Sequence, residues 1–477
     1  MQVSVYKESA HIVAVVLLAV FVGFCINFNA KLGIILAIFP ATIYILLSNK
    51  KNALYLILLF LPFHASPFIS ENLLGIPGAK PHILLSFLIL FACFYHGGHL
   101  LFQPGDPRKK VIIYLGVYYA IFSLALFRSL DYLQLLYMSR PELFDSSAIS
   151  YVLSYYVKPS LFIVSFIYIL NHISSQEETE KILHHLCVVL GVLSTVVILI
   201  SLSHGTIFMP RAYTTEIWNY YFGLHYNDIG SIYIILAPLL IIPISRKSLW
   251  GVLNWCLALL ALALLQSRTS LLVFLLGSMM VLYFLGKKKG LFILLFFLFL
   301  ISLYFLPGFI KETLQTGFKS GDLNQIFTGR INSIWIPLLL EWVDNFGLLL
   351  FGKGLFAMIA SSAYQKGMIL DTSMAHNAFI EFFLDNGIML FLLIVFFLIK
   401  LLKLAWKNVR QINSDIGWAL FASIICYLIA TITGQKIYPS NYNMFLFPII
   451  ALLVNYISFY KPLTNDTGAP VKQVAVD

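Results

Sequence analysis

The sequence predicts an all-α, polytopic integral membrane protein, with about twelve to fourteen transmembrane helices and one long outer loop containing a surface helix. Three observations predict it. First, 60% of the 477 residues are hydrophobic and only 11% are charged, whereas a soluble domain carries about 25% charged residues. Second, apolar runs of roughly 18 to 22 residues recur along the whole chain, each long enough to cross a bilayer as a helix. Third, the basic clusters between these runs fall on one side when the runs are counted alternately.

The first run, 10–28, has only Lys7 before it and passes almost directly into the second, 31–48. It therefore reads as a retained helix and not as a cleaved signal peptide. The third, 53–66, is short and ends in Pro62 and His64, which suggests a broken or re-entrant segment and leaves the count open by one or two. Eight more follow at 82–101, 111–129, 151–171, 183–203, 229–245, 249–266, 269–286 and 290–307. A long connection, 308–386, precedes the last three, at 387–403, 416–434 and 443–459. The organisation expected is a helix bundle over 1–307, a large loop over 308–386, C-terminal helices over 387–460 and a polar tail over 461–477.

With the N-terminus inside, the inner loops hold Lys50-Lys51, Arg108-Lys109-Lys110, Arg246-Lys247, Lys287-Lys288-Lys289 and the Lys400 to Arg410 cluster. This is the sorting that membrane insertion requires, and a count wrong by one would scramble it. The long loop then lies outside, which in a bacterium is the periplasm. Within it, "TGRINSIWIPLLLEWVDN" places Ile331, Ile334, Trp335, Leu338, Leu339 and Trp342 at helical spacing. That pattern predicts an amphipathic helix along the membrane surface. Thr328 is placed to cap it, and Gly352 and Gly354 mark a turn after it.

Composition and motifs exclude several classes. The net charge of +10 belongs to topology-setting loops and not to a nucleic-acid partner. The five cysteines all sit inside apolar runs without a C-x-x-C pair, so neither a disulfide nor a metal framework is expected. The chain has no H-E-x-x-H and no Cys/His cluster, and no metal or cofactor is predicted. It has no G-x-x-x-x-G-K-[ST] and no G-x-S-x-G, so neither a nucleotide engine nor a nucleophile elbow is present. Any chemistry must draw on a substrate that arrives already activated.

Arginine is distributed against the topology rule. Of eight, Arg108, Arg246 and Arg410 are inner, while Arg128, Arg140, Arg211, Arg268 and Arg330 lie on or near the outer face. A guanidinium is a planar fork that binds phosphate through two hydrogen bonds and keeps its charge at low dielectric. Arg268 sits in a tight outer turn, "QSRTS", close to the hydrocarbon, where an unpaired charge costs several kcal/mol. It is either a snorkelling structural arginine or a contact to an anionic lipid or phosphorylated carrier. Arg330 opens the surface helix, whose N-terminus adds to the anion site.

On the same side, "TSMAHNAFIEFFLDNGIML" presents His376 and Asn377 just before an apolar run, with Glu381 and Asp385 at helical spacings behind them. An imidazole accepts a proton near neutral pH and can activate a hydroxyl. Asn377 is placed to hold the ring or a sugar. A lone histidine at a helix start is otherwise a structural residue.

Together these residues resemble the bacterial O-antigen ligase and polymerase superfamily, which includes lipid A-core ligases, repeat-unit polymerases and O-linking oligosaccharyltransferases. The ligase signature H-[NSQ]-x9-G-x-x-[GTY] is matched by His376, Asn377 and Gly387, with Leu390 departing at the last position. "QSRTS" around Arg268, "TGRINSIW" around Arg330 and "GLHYNDIGS" with His225, Asn227 and Asp228 resemble further family segments. The resemblance covers roughly residues 210–435 well and the first half in hydropathy only.

The resemblance implies a metal-independent, inverting glycosyltransferase of the all-helical membrane class (GT-C-like) in the bacterial inner membrane, working at the periplasmic face in surface polysaccharide or lipopolysaccharide biosynthesis. Its donor would be a glycan on undecaprenyl diphosphate, and its acceptor a glycan or lipid A-core sugar. Membrane lipids and a chain-length regulator would be further partners. His376 would be the catalytic base; Arg268 and Arg330 would bind the diphosphate, with Arg211, Asn227 and Asn377 as further substrate contacts. The departure at Leu390 and the span count favour a repeat-unit polymerase over a lipid A-core ligase. A protein O-oligosaccharyltransferase and a lipid-linked glycan transporter or flippase are the alternatives. A transporter would place charges mid-span, whereas here the spans are nearly free of charge and polar residues gather on one face.

Overall fold

The computed structural model describes residues 50–67, 80–95, 106–206, 209, 211–286, 329–369, 374–432, 434 and 436–460. The side chains of Arg211 and Arg268 lie outside the described ones, as do the expected spans 10–28, 31–48 and 290–307, Thr328 and the polar tail.

The described residues are mostly helical, with no strand among them. The helices are α1 (Lys50–Phe60), α2 (Pro81–Tyr95), α3 (Pro107–Leu130), α4 (Leu133–Ser139), α5 (Ala148–His172), α6 (Gln176–His204), α7 (Arg211–Phe222), α8 (Tyr226–Ser245), α9 (Leu249–Leu265) and α10 (Arg268–Leu285). The chain resumes with a π-turn, Ile331–Trp335, that runs into α11 (Ile336–Asp344). Then come α12 (Phe346–Phe351), α13 (Ser362–Gln365), α14 (Ala378–Ile412), α15 (Asp415–Thr431) and α16 (Leu446–Tyr460). Five of these, α3, α5, α6, α8 and α14, are long and apolar enough to cross a membrane, and shorter apolar helices pack beside them. This is a multi-pass membrane protein.

Local chemistry sets the boundaries. Asp106 caps α3 by accepting from the Arg108 amide at 2.8 Å, with Pro107 in the first turn where its missing N–H costs nothing. Ser175 caps α6, Glu177 and Glu178 follow in its first turn, and Gly205 ends it at φ 63°. Ser414 caps α15 through the Gly417 amide at 3.1 Å. The doubtful third span is α1, which tightens at Leu61–Phe63 around Pro62 into a 3-10 turn.

Helix α8 forms the centre of the bundle, packed by α6, α9, α10 and α15. In its most apolar stretch 89% of the residues are buried, against 11% in α14, which turns Met389, Leu392, Phe396 and Ile399 outward to lipid. At the inner end, charged side chains tie helices together. Lys51 pairs with Glu178, Arg246 bonds Glu180 at 2.9 Å and Asp415 at 3.0 Å, and the Tyr460 hydroxyl donates to Gln176 at 2.7 Å.

The surface helix differs from the expectation in one respect. Ile334, Leu338 and Trp342 are buried as its apolar stripe, but Ile336, Leu340 and Val343 on the other side are exposed and apolar too. A helix with a polar outer face was expected from the spacing. One apolar on both faces suits an interface where the second face meets lipid.

Candidate active site

The run expected to start near Gly387 is the second part of a longer helix. Asn377 starts α14 ten residues earlier, its side-chain oxygen accepting from the Phe379 and Ile380 amides at 3.0 and 3.2 Å. The oxygen that sequence reasoning offered to an imidazole or a sugar is thus spent on a helix cap. Gly387 then breaks the helix at φ 74°, ψ 176°, a conformation open essentially only to glycine. The break frees carbonyls upstream, and these are taken up at once. Lys353 N donates to Leu384 O at 3.1 Å, Trp342 Nε1 to the same oxygen at 3.1 Å, and Gly354 N to Asp385 O at 2.9 Å. A Cβ on Gly387 would lie 2.3 Å from Leu350 O, and one on Gly352 would lie 2.4 Å from Asn386 N. Two glycines therefore let the loop after α12 dock backbone to backbone on the kink.

This docking holds the segment before α14. Trp335, on the π-turn, donates its indole N–H to Ala375 O at 2.7 Å, which fixes the backbone next to His376. His376 itself sits at φ 55°, a left-handed conformation uncommon for a residue with a side chain. Such strain persists only where surrounding structure enforces it, and it collects at functional sites.

His376 lines a cavity of about 720 Å³. Arg330 lines the same cavity, as do His225, Asn227 and Asp228 at the start of α8, Glu381 and Asp385 on α14, and Thr269 and Ser270 directly after Arg268. These walls come from helix ends and loops that the topology count places outside, opposite the ion pairs of the inner end. Burial, then the positive Arg330 nearby, push the His376 imidazole down to about 4. It therefore stands unprotonated at neutral pH, in the form that accepts a proton.

The α8 turn and the Arg268 turn are locked together. The Ser267 hydroxyl donates to Asn227 Oδ1 at 3.2 Å and meets the Ser270 hydroxyl at 2.7 Å. Gly230 makes room, since a Cβ there would lie 2.2 Å from Ser270 Oγ. Asn227 thus lines the cavity and positions the turn that carries Arg268.

Of the residues singled out in the sequence, the structure gathers Arg330, His376 and Asn227 around one cavity and brings the Arg268 turn to its wall. It gives two of the outer arginines other work. Arg128 donates to the Phe351 carbonyl, and Arg140 donates to the Tyr364 hydroxyl at 2.6 Å and pairs with Glu142 at 3.3 Å.

One wall was not anticipated, the loop from Gly434 to Tyr442. It is strapped from below by the buried Asn443, which donates to Tyr438 O at 2.7 Å. Lys436 on this loop faces Glu381 at 3.9 Å and stacks over the Phe356 ring at 5.0 Å. A lysine on the outer side breaks the same topology rule as the arginines, and that signal was available. A Cβ at Gly434 would stand 3.8 Å from His376 Nδ1, so this loop also bounds the histidine.

A family model described as O-antigen ligase matches residues 253–395. Arg268, Arg330, His376, Asn377 and Gly387 fall inside the match, while His225, Asn227 and Lys436 fall outside it. No curated protein matches the chain.

Proposed function

We propose that this member of the O-antigen ligase superfamily transfers a glycan from a lipid-linked diphosphate, undecaprenyl diphosphate in a bacterium, to an acceptor sugar hydroxyl at the outer face of the inner membrane. The observation that supports this most is the meeting of His376, poised as an unprotonated base, with Arg330 in one outer cavity. His376 removes the proton from the acceptor hydroxyl as that oxygen attacks the anomeric carbon. The bond from that carbon to the phosphate oxygen breaks, and the electron pair leaves with the lipid diphosphate. Attack opposite the leaving group inverts the anomeric centre. Arg330 and Arg268 together hold the diphosphate and offset the charge that grows on it. Asn227 keeps the Arg268 turn in register, and Asn377 fixes the start of the helix behind His376. Arg211 is a further contact to the carrier.

The acceptor defines the subtype. A repeat-unit polymerase is the reading preferred, with a lipid A-core ligase second and a protein-glycosylating enzyme third. The test is a reconstituted assay with a lipid-diphosphate-linked repeat unit, with and without lipid A-core, in the presence of a chelator. A ladder of longer lipid-linked glycans without core is the expected result. A single jump onto core replaces polymerase with ligase. No transfer to sugar or protein acceptors by folded protein overturns the enzyme reading in favour of transport.

A further inference from the structure

The cavity contains a second histidine, and its hydrogen bonds define what it can do. His225 is the N-cap of α8. Its Nδ1 accepts from the Asn227 amide at 3.3 Å, while its own backbone N–H donates to Asp228 Oδ2 at 3.3 Å, completing a reciprocal cap. A backbone N–H is only a donor, so Nδ1 must be the unprotonated nitrogen and the ring proton sits on Nε2. The Nδ1 lone pair is committed to the helix cap, and Nε2 already carries its hydrogen. In this arrangement His225 cannot serve as the base. It can donate one hydrogen bond from Nε2.

We infer that His225 is a fixed hydrogen-bond donor to an anionic phosphate oxygen of the substrate, dividing the labour of the two cavity histidines so that His376 takes the proton and His225 stabilises the departing diphosphate. Three features agree with this. His225 shares the cavity with both Arg330 and His376. Its turn is bolted to the Arg268 turn through Asn227, Ser267 and Ser270. The helix it caps is the most buried in the bundle, so the donor is rigidly held. A preorganised donor of this kind stabilises developing charge without rearranging during the reaction, and an imidazole in its uncharged tautomer can play that part.

The inference rests on the diphosphate reading above, and two variants separate its structural and chemical parts. In His225→Asn the amide oxygen falls where Nδ1 was, so the cap survives and only the Nε2 donor is lost. In His225→Gln an N–H falls near Nε2, but the cap is lost. Inorganic diphosphate binding and glycan transfer are measured for wild type and both variants, with thermal unfolding as the check on the fold. His225→Asn is expected to unfold like wild type, bind diphosphate about tenfold more weakly and transfer roughly 100-fold more slowly. His225→Gln is expected to unfold at a lower temperature yet keep most of the diphosphate affinity. Wild-type affinity in His225→Asn, equal losses in both variants, or no diphosphate binding by wild type overturns the inference. Weakened diphosphate binding in His225→Asn, with no transfer by wild type to any acceptor, upholds it and defeats the transferase reading instead.

Discussion

At the inner end of the bundle, Arg246 lies between Glu180 and Asp415, and Lys51 against Glu178, each pair in direct contact and partly open to water. At the outer end, Arg330, Lys436, His225, His376, Glu381 and Asp385 surround a hollow of about 720 Å³. The residue types are nearly the same. The inner charges satisfy each other in high dielectric, where an exposed pair contributes about 0–1 kcal/mol. The outer groups, Lys436 and Glu381 paired at 3.9 Å among them, line a space large enough for a ligand, and the charge of Arg330 acts on His376. Charge at the inner end follows the topology rule, and charge at the outer end is what the proposed transfer would draw on.

The comparison can be broken most sharply at Arg330. Arg330→Lys keeps the charge but loses the bidentate fork, and transfer is expected to fall about 100-fold with unfolding unchanged. A wild-type rate would show that the outer cations act as point charges only. Next is the kink. Gly387→Ala forces a side chain into a glycine-only conformation and against Leu350 O, costing at least ~2 kcal/mol by thermal or denaturant unfolding. A smaller cost would mean that the loop after α12 can move away, and that the His376 segment is held less firmly than described.

The pH dependence comes next in size. A histidine lowered to about 4 binds its proton only as pH falls towards that value. Transfer at ~pH 5.5 should therefore stay within about twofold of its rate at ~pH 7.5, where an ordinary imidazole near 6.5 would lose about tenfold. A tenfold drop would place His376 in water. The smallest effect belongs to the inner end. Arg246→Ala is expected to change stability by about 1 kcal/mol or less and leave the transfer rate unaltered. A large loss of transfer there would couple the two ends and undo the distinction.

Most of the fold was legible because a bilayer imposes simple rules. Span lengths, the doubtful third span at Pro62 and the loop charges could be read locally; α3, α5, α8, α9, α10, α15 and α16 fall within a few residues of expectation, and α6 starts at Gln176, ahead of the expected 183–203. The site was half legible. Arg330 and His376 stood out because a charge outside the membrane and a polar group at a helix start need reasons. Gly387 stood out by its place in a motif, and the structure supplies the reason in a kink only glycine can make. Other features depended on partners distant in sequence. Nothing local to Arg128 says that it serves the Phe351 carbonyl, 223 positions away. Asn377 looked like a ligand because capping and sugar binding call for the same side chain. The Gly434–Tyr442 wall was passed over because a short connection between two spans reads as a mere turn.

The most direct test is a single-turnover transfer reaction, started with lipid-diphosphate-linked glycan already bound, comparing wild type with His376→Ala. The account predicts that the variant binds the donor as tightly as wild type and transfers at least ~100-fold more slowly. Transfer at the wild-type rate by His376→Ala would contradict it and move the chemistry to another residue of the cavity.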